Sequence, residues 1–92
     1  MAIKIEFKSG LKDITGASKT TLDKSFNTFE KTMQELIRLY PGLKDEMFYT
    51  DGSIDYAYQI FLNGKRLSWP EDKEARVKDG DELIFLIFMA GG

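Results

Sequence analysis

The chain has 92 residues, a net charge of −2, and neither cysteine nor histidine. This length fits one domain with one modest core. The missing residues exclude disulfides, thiolate nucleophiles, the commonest general base and the commonest metal ligands. A slightly acidic chain lacks the basic footprint of nucleic-acid binding, and neither a membrane-spanning apolar run nor a signal-peptide pattern occurs. We therefore expect a cytoplasmic protein that is not an enzyme and has no metal, nucleic-acid or membrane partner.

The first third of the chain predicts two paired strands. Residues 2–8 alternate apolar and charged side chains, which is the period of a strand with one buried face. Glycines at positions 10 and 16 interrupt the next segment, where Leu11 and Ile14 are expected to lie under the rim of the sheet. The threonine-rich segment from Lys19 to Phe26 is expected to form the second strand.

The period then changes to that of a helix. Apolar residues recur at helical spacing at Phe29, Met33, Leu36, Ile37 and Tyr40. Asn27 and Glu30 have the spacing of a capping box, and Tyr40-Pro41-Gly42 ends the helix. This apolar stripe is typical of a helix that packs on a core, because a ligand pocket would need convergent polar groups.

The second half of the chain predicts three more strands. After a short irregular or single-turn segment from Leu43 to Tyr49, Asn63-Gly64 separates Tyr58–Leu62 from Lys65–Leu67, and this dipeptide favours a two-residue hairpin turn. Asp79-Gly80-Asp81 forms another tight turn before the last strand, residues 83–88. The order of elements predicts an α+β fold, a mixed sheet of four to five strands with one main helix on one face.

The last strand is apolar on both of its faces, although one helix can cover only one face of the sheet. We assign Leu83 and Phe85 to the inner face, together with Ile60 and Leu62. The outer face would then carry a partner-binding patch made of Phe61, Ile84, Leu86 and Phe88. The alternative is that loops or a dimer mate cover this face.

The segment Met89-Ala90-Gly91-Gly92 follows that strand directly. Glycine has no Cβ, so such an end can pass through a narrow channel and leaves the α-carboxylate unhindered and ionised at neutral pH. An ATP-using enzyme could adenylate that carboxylate. The alternative is a frayed terminus. We divide the chain into a domain at residues 1–88 and a flexible diglycine tail at residues 89–92.

Several motifs, in chain order, resemble the small subunit of molybdopterin synthase, MoaD, and the wider set of ubiquitin-like sulfur carriers and small archaeal modifier proteins. The motifs are Phe7-Lys8-Ser9-Gly10-Leu11-Lys12-Asp13-Ile14-Thr15-Gly16, Leu39-Tyr40-Pro41-Gly42-Leu43, Leu62-Asn63-Gly64-Lys65, Val77-Lys78-Asp79-Gly80-Asp81-Glu82 and Gly91-Gly92. The combination covers nearly the whole chain and is far more specific than any single motif.

The resemblance implies a ubiquitin-like β-grasp fold and a carrier without catalytic residues of its own. It implies that Gly92, preceded by Gly91, is adenylated by a MoeB or ubiquitin-activating type of enzyme and then converted to a thiocarboxylate.

ATP would be used by that enzyme, and no cofactor would be bound by the chain itself. The molybdopterin synthase large subunit would be the acceptor. Met89 and Ala90 would bind partners together with the partner-binding patch of the last strand.

The chain departs from the MoaD pattern shortly before the tail. Members that serve molybdopterin synthesis commonly have prolines where this chain has Ile87 and Phe88, and proline would stiffen the exit and remove backbone donors. Two other functions therefore stay open. The chain could be a protein modifier joined through Gly92 to lysines of targets, or a ubiquitin-like docking domain whose tail is never activated. A role in the thiamine pathway ranks third, because the carriers of that pathway are shorter between the helix and the hairpin.

Overall fold

The computed structural model describes residues 2–8, 10–23 and 27–87. Within these residues the chain forms three helices and seven strands. In chain order they are β1 (Ile3–Phe7), α1 (Leu11–Thr15), β2 (Lys19–Leu22), β3 (Asn27–Thr28), α2 (Phe29–Leu39), α3 (Gly42–Met47), β4 (Tyr58–Leu62), β5 (Lys65–Leu67), β6 (Arg76–Val77) and β7 (Glu82–Ile87). None of the described helices combines the length and apolarity needed to cross a membrane.

The main sheet has its last strand in the middle. Its described strands lie in the order β2-β1-β7-β4-β5, with β7 parallel to β1 and antiparallel to β4. Helix α2 supplies four buried side chains, Phe29, Thr32, Met33 and Leu36, and packs against the core of the domain. The predicted mixed sheet with one main helix is confirmed.

The core lies between the inner face of the sheet and the helices. Alternate residues of β1 are buried, as its sequence pattern predicts. Leu11 of α1 is fully buried and Ile14 packs against the core, so both lie where they were expected. The largest fully buried side chains come from strands and helices alike: Phe7, Phe29, Phe85, Ile3, Ile5, Leu11, Met33, Leu36, Leu43, Met47, Leu83 and Val77.

The turns follow their local sequence. Asn63 and Gly64 both have positive φ, 51° and 85°, which is the geometry that an Asn-Gly hairpin turn requires. Gly80 also has a positive φ, 86°, in the turn before β7. The predictions of a hairpin between β4 and β5 and of a tight turn at Asp79-Gly80-Asp81 are confirmed.

Asp81 and Asn63 join these two turns. One Asp81 carboxylate oxygen accepts a hydrogen bond from the Asn63 side chain at 2.9 Å, and the other accepts from the Lys78 backbone at 2.7 Å. The Asn63 side-chain oxygen accepts in turn from the Glu82 backbone at 2.9 Å. These bonds, the Lys78 backbone bond most of all, lower the pKa of Asp81. We call this arrangement the Asp81 clamp.

Three sequence-based boundaries were wrong. Strand β2 ends at Leu22 rather than at Phe26, which lies outside the described residues. Asn27 is not the helix cap: it belongs to β3, and the Thr28 hydroxyl accepts the cap hydrogen bond from the Lys31 backbone at 3.2 Å. The segment that follows α2 is a regular helix of six residues, α3, rather than an irregular stretch or a single turn.

The small ladder of β3 and β6 was not predicted either. It pairs Asn27 with Val77 and Thr28 with Arg76, directly before α2. The connector that leads into it is ordered by Trp69, whose ring contacts the edges of Phe29 and Phe48. The ladder and this aromatic group fix the start of α2 over the core.

Candidate functional site

The two faces of β7 differ in burial. Leu83 and Phe85 are fully buried, whereas the alternate residues Ile84 and Leu86 are half-buried. Successive side chains of a strand point to opposite faces. The assignment of Leu83 and Phe85 to the inner face, with Ile60 beside them, is confirmed, and Leu62 is half-buried against the same core.

Phe61, Ile84 and Leu86 lie together on the outer face, and we call them the outer patch. Phe61 of β4 is directly opposite Ile84, and Leu86 is opposite Gln59. All three apolar side chains are half-buried, but none belongs to the partly buried residues that pack against the core. The register therefore brings together these three of the predicted partner-binding residues, and their role in binding stays a prediction.

Charged residues of the neighbouring strands border the outer patch. Glu6 of β1 pairs with Ile84 on one side, and Arg66 of β5 pairs with Phe61 on the other. Lys8 lies 3.8 Å from the Glu6 carboxylate, and this exposed pair contributes little to stability. An apolar centre with a charged rim is the usual anatomy of a protein interface.

The outer patch is continuous with the start of the C-terminal segment. Ile87, the last described residue, pairs with Tyr58 and packs against the core. Phe88, Met89, Ala90, Gly91 and Gly92 lie outside the described residues, and so does the predicted boundary at residue 88. Their roles in binding and activation stay predictions.

The sequence analysis missed a polar pair beside that point. The Tyr58 hydroxyl donates a 2.8 Å hydrogen bond to the Glu46 carboxylate of α3. Burial raises the pKa of Tyr58 well above its ordinary value, and the hydrogen bond to Glu46 raises it further. The tyrosine therefore stays neutral and holds α3 against the end of β7. No local pattern could have revealed this pair, because only the tertiary fold brings α3 to β4.

The segment between α3 and β4 is ordered by its own backbone. Phe48 and Ile54 form an isolated bridge, and the Tyr49 backbone donates to the Ser53 carbonyl at 2.8 Å. Tyr56 is 86% exposed and lies close in sequence to Tyr58.

The arrangement offers surfaces for binding, and the side chains of Asp81, Tyr58 and Asp72 make hydrogen bonds within the fold. Asp72, in the connector after Trp69-Pro70, accepts from the Ser68 backbone at 2.7 Å and closes the turn there. No group of three or more carboxylates within residues 2–8, 10–23 and 27–87 could hold a metal ion. Within the described residues, the site offers an apolar surface with a charged rim for binding another protein.

Comparisons with known proteins agree with this architecture. The family described as the ThiS family matches residues 5–92. No curated protein sequence matches the chain significantly. Similar solved structures include SAMP1 from Haloferax volcanii, with a TM-score of 0.83, 19% identity and complete coverage of both chains.

Two further solved structures are similar. A putative molybdopterin converting factor, subunit 1, from Pyrococcus furiosus has a TM-score of 0.74 and 17% identity, covering 97% of this chain and 99% of that one. A complex of BexX and CysO from Amycolatopsis orientalis has a TM-score of 0.77 and 22% identity, covering 99% and 100%. The ubiquitin-like β-grasp fold is thereby confirmed.

Proposed function

Because the chain belongs to the ThiS family of ubiquitin-like sulfur carriers and modifiers, we propose that its Gly92 carboxylate is adenylated and converted to a thiocarboxylate for sulfur transfer in molybdopterin biosynthesis. The observation that carries the proposal is that the family match runs through Gly91-Gly92 and begins within β1, so it includes both the folded domain and the diglycine. The similarity to a putative molybdopterin converting factor supports this choice of pathway.

The chemistry requires only a carboxylate from this chain. An oxygen of the Gly92 carboxylate attacks the α-phosphate of ATP, and pyrophosphate leaves. A sulfur nucleophile then attacks the acyl carbon, and AMP leaves. The phosphate-binding and metal-binding groups belong to the activating enzyme, which we propose to be of the MoeB or ubiquitin-activating type.

The outer patch explains how such an enzyme and an acceptor could recognise the carrier. Phe61, Ile84 and Leu86 lie on the two strands that meet at the start of the C-terminal segment. A partner seated on this patch is positioned to receive the residues that follow Ile87. We propose that the activating enzyme and the molybdopterin synthase large subunit bind there in turn.

Protein modification is the second candidate function. Strand β7 continues to Ile87, which pairs with Tyr58, whereas proline at that position could not donate to the ladder. The chain therefore has a longer apolar strand than the MoaD pattern provides. Together with the similarity to SAMP1, which is named a small archaeal modifier protein, this favours joining Gly92 to lysines of targets as the alternative.

Mass spectrometry tests the proposal directly. Incubated with ATP, a sulfur source and the adenylating enzyme from the same genome, the chain should gain the mass of sulfur in place of oxygen, confined to its C-terminal peptide. Deletion of Gly92, which lies outside the described residues, should abolish the gain and leave the far-ultraviolet circular dichroism unchanged. If neither an adenylate nor a thiocarboxylate forms, the chain is a docking domain and the proposal is wrong.

Measurements in cells distinguish the two carrier roles. A sulfur donor would accumulate as the free thio acid, and its deletion would abolish molybdenum-enzyme activity. A modifier would leave Gly-Gly remnants on lysines of other proteins. Remnants found together with normal molybdenum-enzyme activity in the deletion strain would replace the first candidate with the second.

A further inference from the structure

Strand β2 has one side of its backbone paired and the other side open. It pairs with β1 in antiparallel register, and within the described chain no strand lies on its other side. The Phe7 backbone donates to the Ser18 carbonyl at 2.7 Å, so alternate residues from Ser18 onwards face β1. The N–H and C=O groups of Lys19 and Thr21 therefore point away from the sheet, available to a further strand.

An open groove accompanies this edge. It has a volume of about 630 Å³ and is lined by β2 and by the end of α2, including Leu22, Arg38 and Leu39. Leu39 is 43% exposed, which is unusual for a leucine in this domain. Arg38 is held in the groove wall by Glu35, at 2.6 Å. A strand added to β2 would cover the exposed leucine.

The sequence of this edge is complementary to itself. Lys19, Thr21 and Asp23 are all exposed. Alternation along β2 places the Lys19 and Thr21 side chains on the outer face, and Asp23 follows directly after the end of the strand. Neither Lys19 nor Asp23 forms a salt bridge with another described residue. If two copies align antiparallel with Thr21 opposite Thr21, Lys19 of each copy stands opposite Asp23 of the other.

We propose that two copies of this chain associate edge to edge through β2, in the register centred on Thr21. The two-fold axis lies normal to the sheet, so the two main sheets become continuous and the two α2 helices lie on the same side. The Thr21 residues exchange backbone hydrogen bonds, and the two Lys19–Asp23 pairs close the ends of the ladder. Cross-strand Thr–Thr and opposite-charge pairs are both favourable.

Other registers are excluded by the same geometry. Only residues with outward backbone groups can bond across the interface, and within β2 these are Lys19 and Thr21. In the proposed dimer the ladder extends by one residue beyond β2, so that Asp23 faces Lys19. A shift that places Lys19 opposite Thr21 leaves the charges without partners. A lone lysine on an edge normally prevents such pairing, but here the facing Asp23 neutralises it. The contact is short, so we expect a weak dimer that dissociates on dilution.

The dimer leaves the proposed carrier site open. The outer patch lies on β7 and β4, which are separated from β2 by β1. The association therefore does not depend on tail activation, and its test is independent of the test of the proposed function.

Charge exchange tests the register. In sedimentation velocity at rising concentration, Lys19→Asp alone and Asp23→Lys alone should each weaken the dimer by about tenfold or more, because each variant brings like charges together at both ends. Mixing the two single variants should restore association, since the heterodimer has both opposite-charge pairs. The double variant carrying both changes should also dimerise as the original chain does.

Two controls make the result decisive. Lys65→Asp reverses an exposed charge on β5, the other edge of the sheet, and should leave the dimer unchanged. Thr21→Pro removes an outward N–H at an edge, where proline is tolerated, and should abolish the dimer while circular dichroism stays native. The proposal would be wrong if the chain is a monomer at about 1 mM, or if none of the β2 variants weakens the dimer. It would also be wrong if β2 pairs with a strand of another protein but not with a second copy of this chain.

Discussion

Leu83 and Leu86 are identical side chains on one strand, yet they face opposite environments. Leu83 pairs with Ile5 on the inner face, is fully buried, and contacts the core. Leu86 is half-buried on the outer face, opposite Gln59. Leu83 therefore contributes to the stability of the domain, whereas Leu86 is accessible to a partner.

The first prediction compares these two leucines. Leu83→Ala should lower the free energy of unfolding by about 2–5 kcal/mol, since it removes buried methyl groups and leaves a cavity. Leu86→Ala, the matched control, should cost less than about 1 kcal/mol because water can reach its site. Urea denaturation of both variants measures the difference. Similar losses at the two positions would contradict the inner and outer assignment of β7.

The Asp81 clamp matters at the scale of elements. It connects the hairpin between β4 and β5 to the turn that leads into β7, so two segments distant in sequence share one set of hydrogen bonds. Because the carboxylate accepts from both sides, its charged form is stabilised in the folded state and its pKa is lowered. The contribution of Asp81 to stability is therefore fully present above the pKa of this residue in the unfolded chain. It is lost as the pH falls through the lower pKa of Asp81 in the folded state.

The second prediction follows from the lowered pKa of Asp81. Asp81→Asn should destabilise the domain by about 1 kcal/mol at pH 7, a value kept small because the group is partly exposed. The difference between the variant and the original chain should shrink as the pH falls through the lowered pKa of Asp81 in the folded state. Denaturation curves at several pH values test this. A difference that stays constant into acid would mean that the carboxylate charge plays no part.

Elements with local causes could be predicted from the sequence, and elements with distant causes could not. The Asn63-Gly64 turn is determined by the two residues that form it. The β3–β6 ladder has only two residues in each strand and depends on pairing across most of the chain, so no periodicity marks it. Asn27 and Thr28 can both cap a helix, and only the pairing of Asn27 with Val77 assigns the cap to Thr28.

The same division applies to the candidate site. Alternation in β7 predicted two faces, and Phe61 was grouped with Ile84 and Leu86 by assigning Ile60 and Leu62 to the inner face. The pairing of β4 with β7 confirms that grouping. The Tyr58–Glu46 pair and the open edge of β2 arise from packing and strand order, which the sequence does not display. Gly92 lies outside the described residues, so its role stays a prediction, based on the chemistry of a diglycine end and on the resemblance to a family.

At the scale of the whole molecule, the outer patch and the start of the C-terminal segment lie on the same two central strands. A partner can therefore bind both at once. The third prediction is that Leu86→Asp slows adenylation of Gly92 at least about tenfold by weakening enzyme binding, since a charge in an interface centre is costly. Leu39→Asp, an equally drastic change at an exposed leucine of α2, should leave the rate unchanged. Equal rates for both variants would mean that the enzyme does not use the outer patch.

The central position of β7 also governs when the protein can become functional during its synthesis. The strand that joins β1 to β4 is the last of the described strands to be made, so a nascent chain without it has two separate strand pairs and an incomplete sheet. Its long-range pairing with β1 makes the final folding step a late and cooperative one. The ribosome must therefore release β7 before the domain can close, and an unfinished chain has no complete sheet with which to bind a partner.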